Sequence, residues 1–169
     1  MKTDSELTAK FSNIYINLLY SIMIKDLNKV KHFLSEELIN KYERIINELE
    51  VNNETQLYDE LNVGKIDIIK KEVIDNKEIY TVKILSRYMD YKVDEQGDYL
   101  SGNNKSRIEK ENILKFEHNL NSEIKNYYKC KYCGNNLDIN YTGECSYCNN
   151  IVDISEYEYI LTSLEIVGE

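Results

Sequence analysis

Hydrophobic and polar residues follow two different periods along this chain, and the change occurs near residue 61. Before it, apolar residues recur every three or four positions, which is the spacing of amphipathic helices. After it, apolar and polar residues alternate, which is typical of strands with one buried face. Helices followed by a run of strands predict an α+β fold in which the helices pack on an antiparallel sheet.

The first helix is predicted over about residues 4–24. Thr3 and Glu6 have the spacing of a capping box, in which each side chain bonds the backbone of the other residue. Its apolar positions follow the helical repeat, and the main stripe is Leu7, Phe11, Ile14, Tyr15, Leu18 and Ile22. This stripe is typical of a core helix, and it is too often interrupted by polar residues to span a membrane.

Two more helices are predicted before the strands. Asp26 or Asn28 is expected to cap a short second helix that ends near Phe33, and Ser35 is expected to cap a third. Residues 35–60 contain eight acidic side chains and only two basic ones. This acidic character indicates a solvated helix face, and the alternative is a docking surface for a basic partner.

The strands are expected to begin near Leu61. A first strand to about Val73 is followed by a turn at residues 75–77 and by a long strand over about 78–94. The apolar face of the long strand changes near residues 86–88, which predicts a bulge or a sharp bend there.

The later strands complete the predicted sheet. Residues 95–106 are expected to form a polar loop, and another strand is expected through residues 108–116. A last strand near residues 157–164 is apolar enough to return to the main sheet. We therefore predict three helices on a bent, cone-shaped antiparallel sheet, with a cysteine-containing segment inserted before the last strand.

The only four cysteines of the chain are Cys130, Cys133, Cys145 and Cys148. They form two Cys-x-Tyr-Cys pairs with eleven residues between them. Two such pairs are typical of a structural zinc ribbon, in which four thiolates hold one ion and leave no position for a substrate. A redox or disulfide pair and an iron site are the alternatives. The predicted domains are the helix-and-sheet unit, residues 1–127 and 154–169, and the ribbon, residues 128–153.

Composition narrows the location and the partners. Residues 1–10 lack the apolar segment of a secretory signal, so we expect a cytoplasmic protein in which structural disulfides are rare. The net charge is −9, whereas binding to nucleic-acid phosphates requires clustered Lys and Arg. Nucleic-acid binding is therefore the least favoured function.

A tyrosine-rich hollow between the sheet and the first helix is the predicted binding site. Its candidate residues are Tyr80, Tyr88, Tyr91, Tyr157 and Tyr159. Tyrosine offers an apolar ring with a polar tip, so this wall is suited to an apolar group of a partner protein or lipid. The alternative is that these rings fill the core.

Enzymatic chemistry has few candidate residues in this chain. Asp90 and Tyr88 are the best acid–tyrosine pair, but the predicted change of face turns Asp90 toward solvent. All four cysteines are assigned to the metal. We therefore predict a non-catalytic binding domain, with a small-molecule-binding or enzymatic cone domain as the alternative.

Several segments resemble one known family, the domain of the mitochondrial import-motor subunit Tim44, in its bacterial branch with a zinc ribbon. They are residues 26–38 at the junction of the second and third helices, 61–63 at the start of the first strand, 130–148 in the ribbon and 159–164 in the last strand. The resemblance covers nearly the whole chain. It departs at residues 111–116, where the family usually has a tryptophan.

The resemblance implies a nuclear-transport-factor-two-like fold, bound zinc, no catalysis and a role as a protein-binding or membrane-associated scaffold. By this resemblance the partner is another protein, or a lipid, and the location is cytoplasmic or peripheral at the inner face of the membrane. Many relatives carry a membrane anchor upstream, and this sequence starts at the first helix, which weakens the transfer of a membrane location.

Overall fold

The computed structural model describes residues 3–120, 130, 132–135, 144–150 and 159–169. Within these residues the chain has two α-helices and one four-stranded sheet, which confirms the α+β class. The elements are α1 (Asp4–Ile24), a 3₁₀ turn (Lys31–Phe33), α2 (Glu36–Val51), β1 (Thr55–Ile74), β2 (Lys77–Val93), β3 (Tyr99–Asn119) and β4 (Ile160–Ile166).

Helix α1 begins at the predicted capping box. The N–H of Glu6 donates to Thr3 Oγ1 at 3.2 Å, and the N–H of Thr3 donates to Glu6 Oε2 at 2.7 Å. These bonds satisfy backbone N–H groups that have no partner within the helix. The helix ends at Ile24, and the left-handed conformation of Lys25 directs the N–H of Asp26 to the carbonyl of Ser21 at 2.9 Å.

The predicted second helix is wrong, because the segment between α1 and α2 forms only a short 3₁₀ turn. Asp26 Oδ1 accepts the N–H of Asn28 at 2.9 Å, and this local bond favours a turn over a helix. At the other end, Leu34 forms a β-bridge with Leu161, so the chain is already extended there. Ser35 then caps α2, as predicted, by accepting the N–H of Leu38.

The four strands form an antiparallel sheet in chain order. Asp75 and Asn76 connect β1 to β2 with φ of 50° and 61°, the conformation of a type I′ hairpin turn. This confirms the turn expected at residues 75–77. Strand β4 pairs with β3 from Ile166 to Ile160, which confirms that the last strand returns to the main sheet.

Two strands begin earlier than the sequence pattern predicts. Strand β1 begins at Thr55 rather than near Leu61, and a register shift beside Glu60, with φ of 56°, breaks its alternation. Strand β3 begins at Tyr99, so most of the expected polar loop is strand. Polar residues are tolerated there because β2 satisfies their backbone groups and their side chains reach solvent.

The irregularity expected at residues 86–88 of β2 is a register shift with β3 that lies slightly later than predicted. The buried face continues through Tyr88, and the register shift falls between Tyr88, which pairs with Ile108, and Asp90, which pairs with Asn103. The additional residues are therefore in β3. They leave Asp90 on the same side of the sheet as Tyr88.

The core lies between α1 and one side of the sheet. Phe11 is fully buried and stacks on Phe116 with ring centroids 4.0 Å apart. The apolar stripe of α1 predicted from the sequence is buried in this cluster, together with residues of α2, β2, β3 and β4. Partly buried residues of β1 pack against it. In the described residues, no helix is long and apolar enough to cross a membrane.

Candidate metal centre and cleft

The first cysteine pair lies in a tight turn closed by backbone hydrogen bonds. The N–H of Gly134 donates to the carbonyl of Cys130 at 2.9 Å, and the N–H of Cys130 donates to the carbonyl of Asn135 at 2.8 Å. Gly134 has φ of 74°, a left-handed conformation that glycine adopts without strain. This geometry brings the N–H of Tyr132 to 3.4 Å from the sulfur of Cys130.

The second cysteine pair repeats the same turn. The N–H of Asn149 donates to the carbonyl of Cys145 at 2.8 Å, and the N–H of Cys145 donates to the carbonyl of Asn150 at 2.9 Å. Asn149, with φ of 61°, takes the left-handed position that Gly134 holds in the first turn. A residue in the left-handed conformation therefore follows each pair.

The four sulfurs form a compact cluster. All of them lie within 4.8 Å of one another, with Cys130 Sγ 3.8 Å from Cys148 Sγ and Cys133 Sγ 3.9 Å from Cys145 Sγ. A disulfide bond requires about 2.05 Å, so the cysteines are free. Four sulfurs at about 2.3 Å from a tetrahedral zinc lie roughly 3.8 Å apart, so the cluster is compatible with a metal site.

Two asparagines missed by the sequence analysis act on this cluster. The side-chain amide of Asn150 donates to Cys148 Sγ at 3.3 Å, and that of Asn135 donates to Cys133 Sγ at 3.7 Å. Hydrogen bonds from the backbone and side chain of Asn150 lower the pKa of Cys148 to about 7. The signal was present in the sequence, since each Cys-x-Tyr-Cys pair is followed by an asparagine at the same distance.

The thiol of Cys133 behaves in the opposite way. A hydrogen bond from the backbone of Asn135 lowers its pKa, but desolvation and the hydrogen bonds with the other three cysteines raise it to about 11. Four thiols this close cannot all ionise without a compensating cation, because the thiolates repel one another. A bound metal would supply that charge and release the protons.

A second candidate site is a cleft of about 710 Å³ between the two α-helices and the sheet. Helix α1 contributes Tyr15, Leu19 and Ile22, α2 contributes Lys41, Tyr42 and Ile45, and the sheet and its C-terminal extension contribute Gln56, Tyr58, Tyr88, Asp90, Asn112, Leu164, Glu165, Ile166 and Glu169. The lining residues come from six separate parts of the chain, so only the folded structure brings them together.

The floor of the cleft is a buried polar network. Tyr15 Oη and Ser86 Oγ are 2.7 Å apart, and the amide of Asn112 donates to Tyr15 Oη at 3.2 Å and to Ser86 Oγ at 3.4 Å. Burial raises the pKa of Tyr15, although its two hydrogen bonds act against this shift. The network satisfies these polar groups within the core.

The tyrosines predicted to form a pocket lie in different places. Tyr88 lines the cleft, whereas Tyr80 and Tyr159 pack against each other beside Phe11. Tyr91 hydrogen-bonds Asp59, and Tyr157 lies outside the described residues. The sequence analysis missed Tyr15 and Tyr42 as cleft residues because their helical periodicity is that of ordinary core residues. It missed Tyr58 because this residue precedes the predicted start of the first strand.

The prediction that Asp90 faces solvent is wrong. Its side chain is half-buried and lines the cleft, where Gln56 Nε2 donates to Asp90 Oδ1 at 2.7 Å. The cause is the late position of the register shift, which leaves Asp90 and Tyr88 on one side of the sheet.

Comparison with known proteins identifies a family for this chain. The family model of the Tim44-like domain matches residues 3–129, which include both helices and strands β1 to β3. The match ends directly before Cys130, so it carries no information about the cysteine cluster. No curated protein matches this chain.

Proposed function

Since this chain belongs to the Tim44-like domain family, we propose that it is a non-catalytic binding domain, an adaptor, with a zinc ribbon held by Cys130, Cys133, Cys145 and Cys148. The observation that carries the zinc assignment is the cluster of four sulfurs within 4.8 Å of one another, in which two sulfur pairs are 3.8 Å and 3.9 Å apart. Zinc with four thiolates has no open coordination position, so the ion is structural rather than catalytic.

The preference for zinc over iron rests on the chemistry and the geometry of the site. Tetrahedral sulfur sites hold either zinc or iron, and zinc needs no redox chemistry to remain bound. The paired turns, each with a left-handed residue after the second cysteine, suit a site that closes around one ion. The free energy of zinc binding then stabilises a segment with few apolar residues.

We further propose that residues 128–153 form this ribbon and that residues 1–127 and 154–169 form the helix-and-sheet unit. The support is the distribution of the core. The described buried apolar cluster draws on both helices and on β2, β3 and β4, and partly buried residues of β1 pack against it. None of its members comes from the cysteine turns. The unit therefore has a hydrophobic core of its own.

The proposed partner is another protein, with a lipid or membrane surface as the alternative, and the proposed location is the cytoplasm or the inner face of the membrane. The family supports a scaffold role. The acidic exposed face of α2 supports a basic partner. The cleft supports binding, because its walls combine apolar and aromatic side chains with a few polar groups.

Site-specific photo-crosslinking in the native cell tests the adaptor role. A photoreactive residue replaces Ile45, which lines the cleft from α2, and the matched control replaces Val73, an exposed residue of β1 outside it. We expect one dominant protein adduct from position 45 that is absent from position 73. Identical, diffuse labelling from both positions would contradict a protein-binding role for this face.

A further inference from the structure

The cleft between α1, α2 and the sheet is lined by four tyrosine rings. Three of them, Tyr15, Tyr42 and Tyr88, are buried to at least nine-tenths, and the half-buried Tyr58 meets Tyr88 edge to face at 5.2 Å between centroids. The faces of aromatic rings carry negative electrostatic potential and attract cations. The rings alone could bind either a cation or an apolar group. The charged side chains that line the cleft distinguish between these two classes of ligand.

Acidic side chains dominate the charge of the cleft. Asp90, Glu165 and Glu169 line it, against a single ammonium group from Lys41. Glu169 forms an ion pair with Lys110. With Glu169 paired, Asp90 and Glu165 still outnumber Lys41, so the net charge of the lining side chains is negative and favours a cation over an anion.

Asp90 is the carboxylate that lies among the rings. Its hydrogen-bond donor is the neutral amide of Gln56, which leaves the negative charge in place. Among the described residues, no lysine or arginine forms an ion pair with Asp90. Burial and then the charge of Asp90 raise the pKa of Tyr58, as expected for a ring beside an anion.

The chain itself places an ammonium group on a ring of this cleft. Lys41 Nζ lies 5.4 Å from the centroid of Tyr42, within the roughly 6 Å over which such contacts stabilise. Lys41 is exposed and its side chain is flexible, so a ligand cation can displace it. The two residues are consecutive in the chain, so the contact shows that an ammonium group can lie beside this ring.

The size of the cleft fits a small molecule. About 710 Å³ falls within the roughly 300–1,000 Å³ typical of ligand pockets. Leu19, Ile22 and Leu164 supply apolar wall for an alkyl portion, while the rings and Asp90 supply the site for a charged head. We propose that the cleft binds a small molecule that carries an alkylammonium group. This goes beyond the adaptor role and does not depend on it.

A matched pair of probes tests this proposal. Choline and 3,3-dimethyl-1-butanol have nearly the same shape, but only choline carries a positive charge. Each is titrated into the zinc-loaded full chain, and amide resonances are followed by NMR. We expect saturable shifts with choline at residues that line the cleft, and at least roughly threefold weaker binding of the neutral probe.

Two variants locate the site. Asp90→Asn keeps the side-chain shape and removes the charge, and Tyr58→Leu removes a half-buried ring; each should weaken choline binding roughly threefold or more. Asp67→Asn and Tyr20→Leu, which change residues outside the cleft, should bind as the wild type does. As a control for folding, the amide resonances of each variant outside the cleft should match those of the wild type.

The proposal is overturned if choline causes no saturable shift up to high millimolar concentration, or if both probes bind equally. Loss of binding in the two control variants to the same extent as in Asp90→Asn would also overturn it. None of these results bears on protein crosslinks at position 45, so the adaptor role is tested separately.

Discussion

At the scale of single residues, the protein depends on polar groups that are buried without access to water. Asn112 is 1% exposed and bonds two hydroxyls and the carbonyl of Ile84, so that one side chain connects α1, β2 and β3. Burial favours the neutral form of the phenolic hydroxyls in the same region. Their ionisation therefore links the stability of the fold to pH.

Tyr42 gives this linkage a defined pH range. Burial, and then the nearby Tyr15, raise its pKa from 10.0 to about 12 in the folded chain. The folded state favours the proton, so this stability is full below pH 10 and is lost as the pH rises toward 12. Full ionisation of Tyr42 should therefore lower the free energy of unfolding by about 2–3 kcal/mol.

Urea unfolding between pH 9 and 11.5 measures the effect. Tyr42→Phe has no proton to lose, so its stability should fall less steeply above pH 10 than that of the wild type. Tyr20→Phe changes an exposed ring and should follow the wild type. Parallel curves for Tyr42→Phe and the wild type would show that Tyr42 ionises freely in the folded chain.

At the scale of elements, local hydrogen-bond chemistry was predictable and long-range pairing was not. The capping box at Thr3 and the turn at Asp75 depend on neighbouring residues, so the sequence pattern located both. The early starts of β1 and β3 depend on pairing with β2, which supplies hydrogen bonds to polar segments that would otherwise form loops. Hydrophobic alternation contains no information about that pairing.

The hairpin turn between β1 and β2 gives an element-scale prediction. Asn76 has φ of 61°, where glycine is unstrained and a residue with a Cβ other than Asn or Asp is disfavoured. Asn76→Ala should lower the free energy of unfolding by about 1 kcal/mol, and Asn76→Gly should leave it unchanged or raise it. Equal stabilities of the two variants in urea unfolding would mean that the turn relaxes to another geometry.

At the scale of the whole molecule, the two candidate sites differ in how they are encoded. The cysteine cluster follows from spacing within one short segment, so the sequence identified all four sulfurs that the structure brings together. The cleft is assembled from distant segments, and its residues have the ordinary periodicity of a core. Of the five tyrosines predicted to form a pocket, only Tyr88 is among the described residues that line it.

The proposed division into two units predicts a localised response to chelation. Removal of zinc should increase amide hydrogen exchange in the cysteine turns, while α1 and β2, which have their own core contacts, keep their protection. A zinc-saturated chelator is the control and should change nothing. Loss of protection throughout α1 would indicate that metal and core form one cooperative unit.

The zinc ribbon itself is tested most directly by X-ray absorption at the zinc edge, combined with the metal content of protein expressed with added zinc. The cluster of Cys130, Cys133, Cys145 and Cys148 predicts one zinc per chain with four sulfur neighbours at about 2.3 Å. Cys133→Ser should lose metal or bind it more weakly. Less than half an equivalent of zinc in the wild type, a first shell of nitrogen or oxygen, or full occupancy in Cys133→Ser would contradict the assignment.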